Sequence, residues 1–219
     1  MKSDIMKTIL KDHKGILILT SILTLLPVLA GLLLWDILPD VLVTHWGING
    51  EPDGYMSKSA VVFGLPLVML ALQWFGILAT LLDKRNTKNR KMLTIVWWIV
   101  PVVSILCGAV TYGYALNIPV NTGSLVLAVL GILFAVIGWF LPRCQQNRTM
   151  GIRLPWTLAS EENWNKTHRL AGAVWVAGGV LVTLTSPLAN LWLSAAVFLL
   201  MILIPAVYSY RYAKTKENI

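Results

Sequence analysis

The chain has 219 residues, 57% of them hydrophobic and only 13% charged, with a mean hydropathy of +0.70. A soluble domain of this length would be far more polar, so composition excludes that class and points to an integral membrane protein. The formal net charge of +8 invites a nucleic-acid partner, but the placement of the basic residues along the chain excludes direct nucleic-acid binding too.

A bilayer core about 30 Å thick takes about 20 apolar residues of helix. Six such runs stand at 15–35, 60–82, 92–116, 124–141, 170–185 and 191–208. The expected fold is therefore all-α, a single polytopic domain over 1–219 with six transmembrane helices. It carries a small folded extracellular module at 36–59 and a cytoplasmic amphipathic segment at 142–169. In chain order, residues 1–14 form a polar, basic lead-in whose His13 is read as solvated. The first span carries Pro27. The basic start and Val28-Leu29-Ala30 imitate a signal-peptide cleavage site, but the apolar run continues through Leu34 and Trp35 and would bury that site. The span is therefore expected to be retained.

The loop at 36–59 breaks the apolar pattern. Val41 to Trp46 is extended and β-branched enough for a strand. Asn49-Gly50 is a strong hairpin signal, Glu51-Pro52-Asp53-Gly54 supplies a second tight turn, and Ser57 or Ser59 caps the next helix. A compact lid follows, with Val41, Val43 and Trp46 against the bundle or the headgroup layer. Its Asp40, His45, Glu51 and Asp53 admit three readings. With Trp46 and Tyr55 they offer charge and aromatic surface to a peptide. As a histidine with carboxylates they could hold a divalent ion, though the spacing matches no ligand pattern. As plain loop residues, the carboxylates satisfy turn backbone groups and His45 is simply hydrogen-bonded. No metal or cofactor is assigned.

The later spans carry Pro66, Pro101 and Pro205, tolerated because neighbouring helices re-satisfy freed backbone groups. Small residues recur at helical spacing at Ser104, Gly108 and Thr111, at Gly131, Ala135 and Gly138, and at Ala173 and Ala177 beside Gly178 and Gly179. These predict helix-packing faces, with homo-oligomerisation as a second use. Trp35, Trp97, Trp98, Trp139, Tyr208, Tyr210 and Tyr212 fall near span ends as interface anchors. No ionisable residue of the Asp, Glu, Lys, Arg or His type lies inside a span, which disfavours a proton-coupled transporter. Gln73, Thr80, Thr94, Ser104, Thr111 and Thr183 supply the polar groups there. Cys107 and Cys144 differ in expected depth and form no disulfide. The chain has no H-E-x-x-H pair, no G-x-S-x-G and no Walker lysine loop, and nothing in it compels an enzyme.

Before the fifth span, Pro155 holds Leu154 out of helical geometry, so 147–154 should be extended. Ser160 is an N-cap with Glu161 and Glu162 in the first turn. Glu162 pairs with Lys166, and Trp164 shares a helical face with His168, predicting a short helix running straight into the span. Trp156 and Trp164 are placed in the headgroup layer, with Arg153, Lys166 and Arg169 on anionic lipid, or else the segment is a docking site. With six spans, 17 of the 18 Lys and Arg residues fall on one face, leaving Lys58 opposite. That face is expected to be cytoplasmic, with both termini inside. The two long loops then face opposite sides, as an inverted three-plus-three repeat would place them.

The stretch GIRLPWTLASEENWNKTHRLAG at 151–172 resembles the signature of the SdpI-type immunity protein family. LPDVLVTHWGINGEPDGYMSK at 38–58 resembles that family's extracellular module, in the same order and on the corresponding sides. The resemblance implies a multi-pass protein of the bacterial inner membrane that binds or neutralises a secreted toxic peptide at the outer face. On that reading Asp40, His45, Trp46, Glu51, Asp53 and Tyr55 meet the peptide. It also implies signalling to a cytoplasmic transcriptional repressor, for which Arg153, Trp156, Glu162, Trp164, His168 and Arg169 are the docking candidates. A small-molecule or peptide transporter using the proline-bent bundle is the alternative, and a membrane enzyme with its site in the 36–59 loop stands behind it.

Overall fold

The computed structural model describes all residues except 1–7, 48–49, 84–85, 87–89, 120 and 218–219. Among the described residues six helices are long and apolar enough to cross a membrane: Lys14–Leu33, Ala60–Leu82, Leu93–Ala115, Thr122–Arg143, Glu161–Leu188 and Leu191–Lys216. They match the six predicted runs, and the fifth starts earlier because its amphipathic lead-in is continuous with it. The protein is thus a multi-pass membrane protein built mostly of helix. Cα proximity divides the chain into two compact units, Met1–Leu78 with Thr94–Leu125 and Ala79–Leu93 with Val126–Ile219.

In the first unit, α1 (Lys14–Thr24) stops at Leu25 and α2 (Leu26–Leu33) continues the same span. Pro27 is the cause, since it has no N–H to give the preceding turn. Val28 N–H bonds to Leu25 O at 2.9 Å instead of reaching Thr24 O. The freed Thr24 carbonyl accepts the Ser104 hydroxyl at 2.8 Å, and Tyr112 OH donates to Pro27 O at 3.0 Å. Both donors lie on α4 (Arg90–Ala115). A Cβ at Gly108 would stand only 2.8 Å from the Pro27 ring, so the predicted stripe on α4 is the packing face for this bend. Thr24 Oγ1 also lies 2.5 Å from Gln73 Oε1 on α3 (Leu65–Leu82), which is reached through a π-helical turn at Ala60–Gly64.

Two expectations fail here. His13 is not simply solvated: its ring meets Trp97 edge-on at 5.5 Å, and its Nδ1 lies 3.0 Å from Ile9 O. Trp97 is accordingly 1% exposed and anchors the interior instead of an interface.

The hairpin joins α2 to the π-helical turn. β1 (Val41–Trp46) and β2 (Pro52–Ser57) pair antiparallel, with Leu42 opposite Met56, Val43 opposite Tyr55 and His45 opposite Gly54. Glu51-Pro52-Asp53-Gly54 is therefore mostly strand and not a second turn. The register slips after Val43 and again after His45, so a bulge absorbs what the turn residues suggested. The Asn49 half of the predicted Asn49-Gly50 turn lies outside the described residues; Gly50 takes φ of +81°.

The second unit holds α5 (Thr122–Phe140), a 3-10 turn at Leu141–Arg143, α6 (Pro155–Ala159), α7 (Glu161–Thr185) and α8 (Leu191–Glu217). Gly131 and Gly138 of α5 abut Gly179 and Gly172 of α7; a Cβ on Gly179 would stand 2.6 Å from Ala135 N. Ala173 and Ala177, expected on this face, are exposed. At about 100° per residue, 172 and 179 align on one line and 173 lies a quarter-turn away. The glycine faces considered for homo-oligomerisation are thus filled within the chain. Leu127, Val182, Val197 and Met201 form the apolar core.

Candidate functional site

The hairpin is built from its inward residues. Along β1 Leu42 is buried, Val41 and His45 are exposed, and Val43, Thr44 and Trp46 are half-buried, the slips after Val43 and His45 interrupting strict alternation. Leu42 is 1% exposed and packs with Leu38, Val61, Val62 and Tyr112, and Trp46 meets Tyr114 edge-on at 5.5 Å. Of the three residues expected against the bundle or the headgroup layer, Trp46 packs on the bundle, Val43 is half-buried, and Val41 is exposed and does not pack on the bundle.

Lys58 fixes the hairpin to the end of the first span. Its ammonium donates to Trp35 O at 3.1 Å and Leu38 O at 2.8 Å, lies 5.2 Å from the Trp35 ring centroid, and reaches Asp40 Oδ1 at 3.4 Å. A cation placed on carbonyls past a helix C-terminus satisfies orphan acceptors and opposes the negative dipole end. Lys58 is therefore a structural clamp, and Asp40, whose side chain is 97% exposed, is its outer partner.

On the opposite face His45 Nδ1 lies 2.5 Å from Asp53 Oδ1, with both side chains largely exposed. Gly54 makes room for this pair, since a Cβ there would stand 2.7 Å from His45 Cβ. Tyr55 is exposed and donates to Pro52 O at 3.3 Å. The structure thus gathers His45, Asp53 and Tyr55 on one outward face and sends Trp46 to the interior side. Glu51 is exposed at the hairpin's end, where its carbonyl accepts from Gly47 N–H at 2.8 Å. Among the described residues no three His, Cys, Asp or Glu side chains gather as metal ligands.

The segment at 144–154 has no regular structure, yet its polar groups are satisfied one by one. Asn147, fully buried, accepts from Thr149 N–H at 2.8 Å and Met150 N–H at 2.6 Å, and donates to Gln145 O at 2.9 Å. This is an Asx turn standing in for backbone pairing. Thr149 Oγ1 accepts from buried Asn86 at 2.6 Å, and Asp83 accepts Arg148 N–H at 2.6 Å. Thr157 at the start of α6 bonds Ile152 O at 2.8 Å and accepts Leu154 N–H at 2.9 Å. Cys144 is buried and its thiol is pushed up to about 11 by that burial, partly offset by the Asn147 bond.

The first turns of α7 close this loop. Ser160 caps α7 by accepting Asn163 N–H at 3.2 Å. Trp164 and His168 share one face as predicted and stack at 4.0 Å, but both are 0% exposed. Trp164 is thus corrected from the headgroup layer to the interior, where its indole donates to Cys144 O at 2.7 Å. His168 Nδ1 lies 2.9 Å from Trp164 O, and Nε2 accepts Ile152 N–H at 3.0 Å. That pattern requires the neutral ring with its proton on Nδ1. Glu161, Glu162, Lys166, His168 and Arg169 precede Leu170, so this part of α7 lies outside the membrane-crossing stretch. Burial holds His168 down to about 4, against the opposing bond to Trp164 O. Gly151 has φ of +95° and lies directly under His168 and Trp164, where a side chain has neither a conformation nor a space.

Trp156 is half-buried, donating to Ser209 Oγ on α8 at 2.8 Å and meeting Tyr210 at 5.3 Å. Asn163 donates to Ser209 O at 3.0 Å. Glu162 makes its predicted pair with Lys166 at 3.0 Å and also reaches Lys216. Arg153 and Arg169 are exposed; the Arg153 guanidinium donates to Arg148 O at 2.8 Å. Of the six candidates in this segment, Arg153, Glu162 and Arg169 present surface, while Trp164 and His168 present none. Sequence reasoning missed Lys58, Asn147, Gly151 and Thr157 as organisers. The Asn-x-Thr spacing of an Asx turn was a usable signal for Asn147; no local pattern announced the others.

The model of the SdpI/YfhL protein family matches residues 143–209, which takes in the 144–154 segment, α7 and most of α8. A domain of unknown function (DUF1648) matches residues 22–70, covering α2, the hairpin and the start of α3. Immunity protein SdpI of Bacillus subtilis (strain 168) is 28% identical over 207 residues, covering 90% of this chain and 95% of that protein. No solved structure matches the chain. The family segment, the likeness over nearly the full length and the two motifs agree: residues 143–209 carry the SdpI/YfhL family segment, and the chain as a whole is similar to an SdpI immunity protein.

Proposed function

We propose that this protein is a membrane immunity protein of the bacterial inner membrane that binds or neutralises a secreted toxic peptide at its outer face. The carrying observation is the near full-length likeness to a curated immunity protein. The hairpin supports it by holding His45, Asp53 and Tyr55 outward on a rigid support, with Asp40 and Glu51 adding negative charge toward water. The basic bias of the other loops supports N-in and C-in orientation, which places the hairpin outside. The 142–169 segment lies on the cytoplasmic side and signals to a repressor through its exposed residues Arg153, Glu162 and Arg169. Its buried Trp164 and His168 set the shape that presents them.

Cells expressing the protein, challenged with a panel of secreted toxic peptides, survive concentrations that kill cells carrying an empty vector. Equal killing across the panel at verified membrane abundance defeats the immunity reading. His45→Ala combined with Asp53→Asn lowers peptide binding and protection, whereas Arg153→Ala and Arg169→Ala leave binding intact and weaken signalling. Loss of peptide binding in Arg153→Ala at normal abundance breaks the division of labour. Retained peptide binding with no repressor response removes the signalling part alone.

A further inference from the structure

Between α1 and α3 lies a groove of about 430 Å³ whose walls include Leu17, Ile18 and Ser21 on one side and Leu70 and Trp74 on the other, with Lys14 at its end. Its walls belong to the apolar stretches of the first two spans, so it opens sideways to hydrocarbon. Two features set it apart from ordinary lipid-facing surface. An exposed ammonium stands at one end of an otherwise apolar channel, and the long lysine stem can carry that charge to the headgroup level. About 10 Å of helix separates Lys14 from Ser21, and Ser21 Oγ is buried without a hydrogen-bond partner. A cation at the membrane surface with an apolar slot below it and a spare hydroxyl in the slot is complementary to a charged amphiphile.

We infer that this groove binds one anionic phospholipid. Lys14 takes the headgroup phosphate, one acyl chain lies along Leu17, Ile18, Leu70 and Trp74, and the Ser21 hydroxyl donates to an oxygen of the same lipid. Net headgroup charge provides the selection, because a zwitterionic lipid fills the slot equally well but gains less from the ammonium.

Native mass spectrometry of the full chain released from bilayers of equal dioleoyl phosphatidylglycerol and dioleoyl phosphatidylcholine tests this. The wild type retains the anionic lipid about fivefold over the zwitterionic one, and Lys14→Gln brings the two to parity. Ser21→Phe, which fills the slot, loses both lipids with helicity by circular dichroism unchanged. Excess inorganic phosphate leaves retention unaltered. Equal retention by the wild type, no retention of either lipid, undiminished preference in Lys14→Gln, or displacement by inorganic phosphate each overturns the assignment. Should Ser21→Phe lose helicity, the surface change Lys14→Gln still decides the matter.

Discussion

In the hairpin, His45 and Asp53 meet on a face where their side chains stay 71% and 52% exposed. In the 144–168 stretch, Asn147, Thr157, Trp164 and His168 are 0% exposed, although that stretch has less regular structure. The hairpin obtains its backbone pairing from a β-ladder and its anchorage from Leu42, Trp46 and Lys58, which leaves its other polar side chains free to face water. The loop before α7 has no ladder, so side chains must serve as partners for the backbone, because an unmet buried N–H or C=O is expensive. Polar residues therefore read differently in the two places. In the hairpin they are exposed to water; in the loop most of them are scaffold, and surface is left to Arg153, Glu162 and Arg169.

The sharpest way to break this contrast is Gly151→Ala. It forces an alanine to φ of +95° against the His168 ring, at a cost of about 3 kcal/mol or more. Unfolding in detergent should show the loss; near-wild-type stability would mean that the loop is not the scaffold described here. Asn147→Ala comes next, at about 1–3 kcal/mol, since it strands the buried Met150 N–H and the half-buried Thr149 N–H.

His168 gives a pH signature of the same scaffold. Its folded value near 4 lies below the unfolded value near 6.5, so the unfolded chain binds more protons between them and stability falls as pH drops through that window. The effect is at most about 3 kcal/mol, read as a declining melting temperature between pH 6.5 and 4 that flattens in His168→Gln. Lys58→Met is smaller, about 1–2 kcal/mol, and local: hydrogen exchange should quicken across β1 and β2 while global unfolding barely moves. Smallest is Asp53→Asn, within about 0.5 kcal/mol for an exposed pair, with its effect appearing in peptide protection instead.

The architecture was legible in the sequence where the signal is periodic or compositional. Six apolar runs, the strand at Val41–Trp46, the Ser160 cap and the Trp164–His168 face all follow from local spacing. The contents of the two loops were legible only in part. Trp164 looked like an interfacial tryptophan because amphipathic lead-ins usually carry one, and the stack that buries it depends on a chain reversal at Gly151. Leu42 was not singled out because hydrophobicity alone does not rank neighbouring apolar residues, whereas contacts with Leu38, Val61, Val62 and Tyr112 bury Leu42 and leave Val41 exposed.

By itself, the sequence determined that this chain lives in a membrane, how many times it can cross, where its polar interruptions lie and which family it resembles. Those properties are set by the free energy of moving each residue between water and hydrocarbon and by local backbone preference, and both can be read one segment at a time. Only the tertiary structure decided which polar residues are satisfied internally. Lys58 becomes a clamp because carbonyls 20 and 23 residues earlier come within its reach. Asn86 and Thr149 become partners across 63 residues, and His168 becomes neutral because Ile152 supplies a donor. Hydrogen bonds of that kind depend on distances in space, and no local spacing along the chain encodes them.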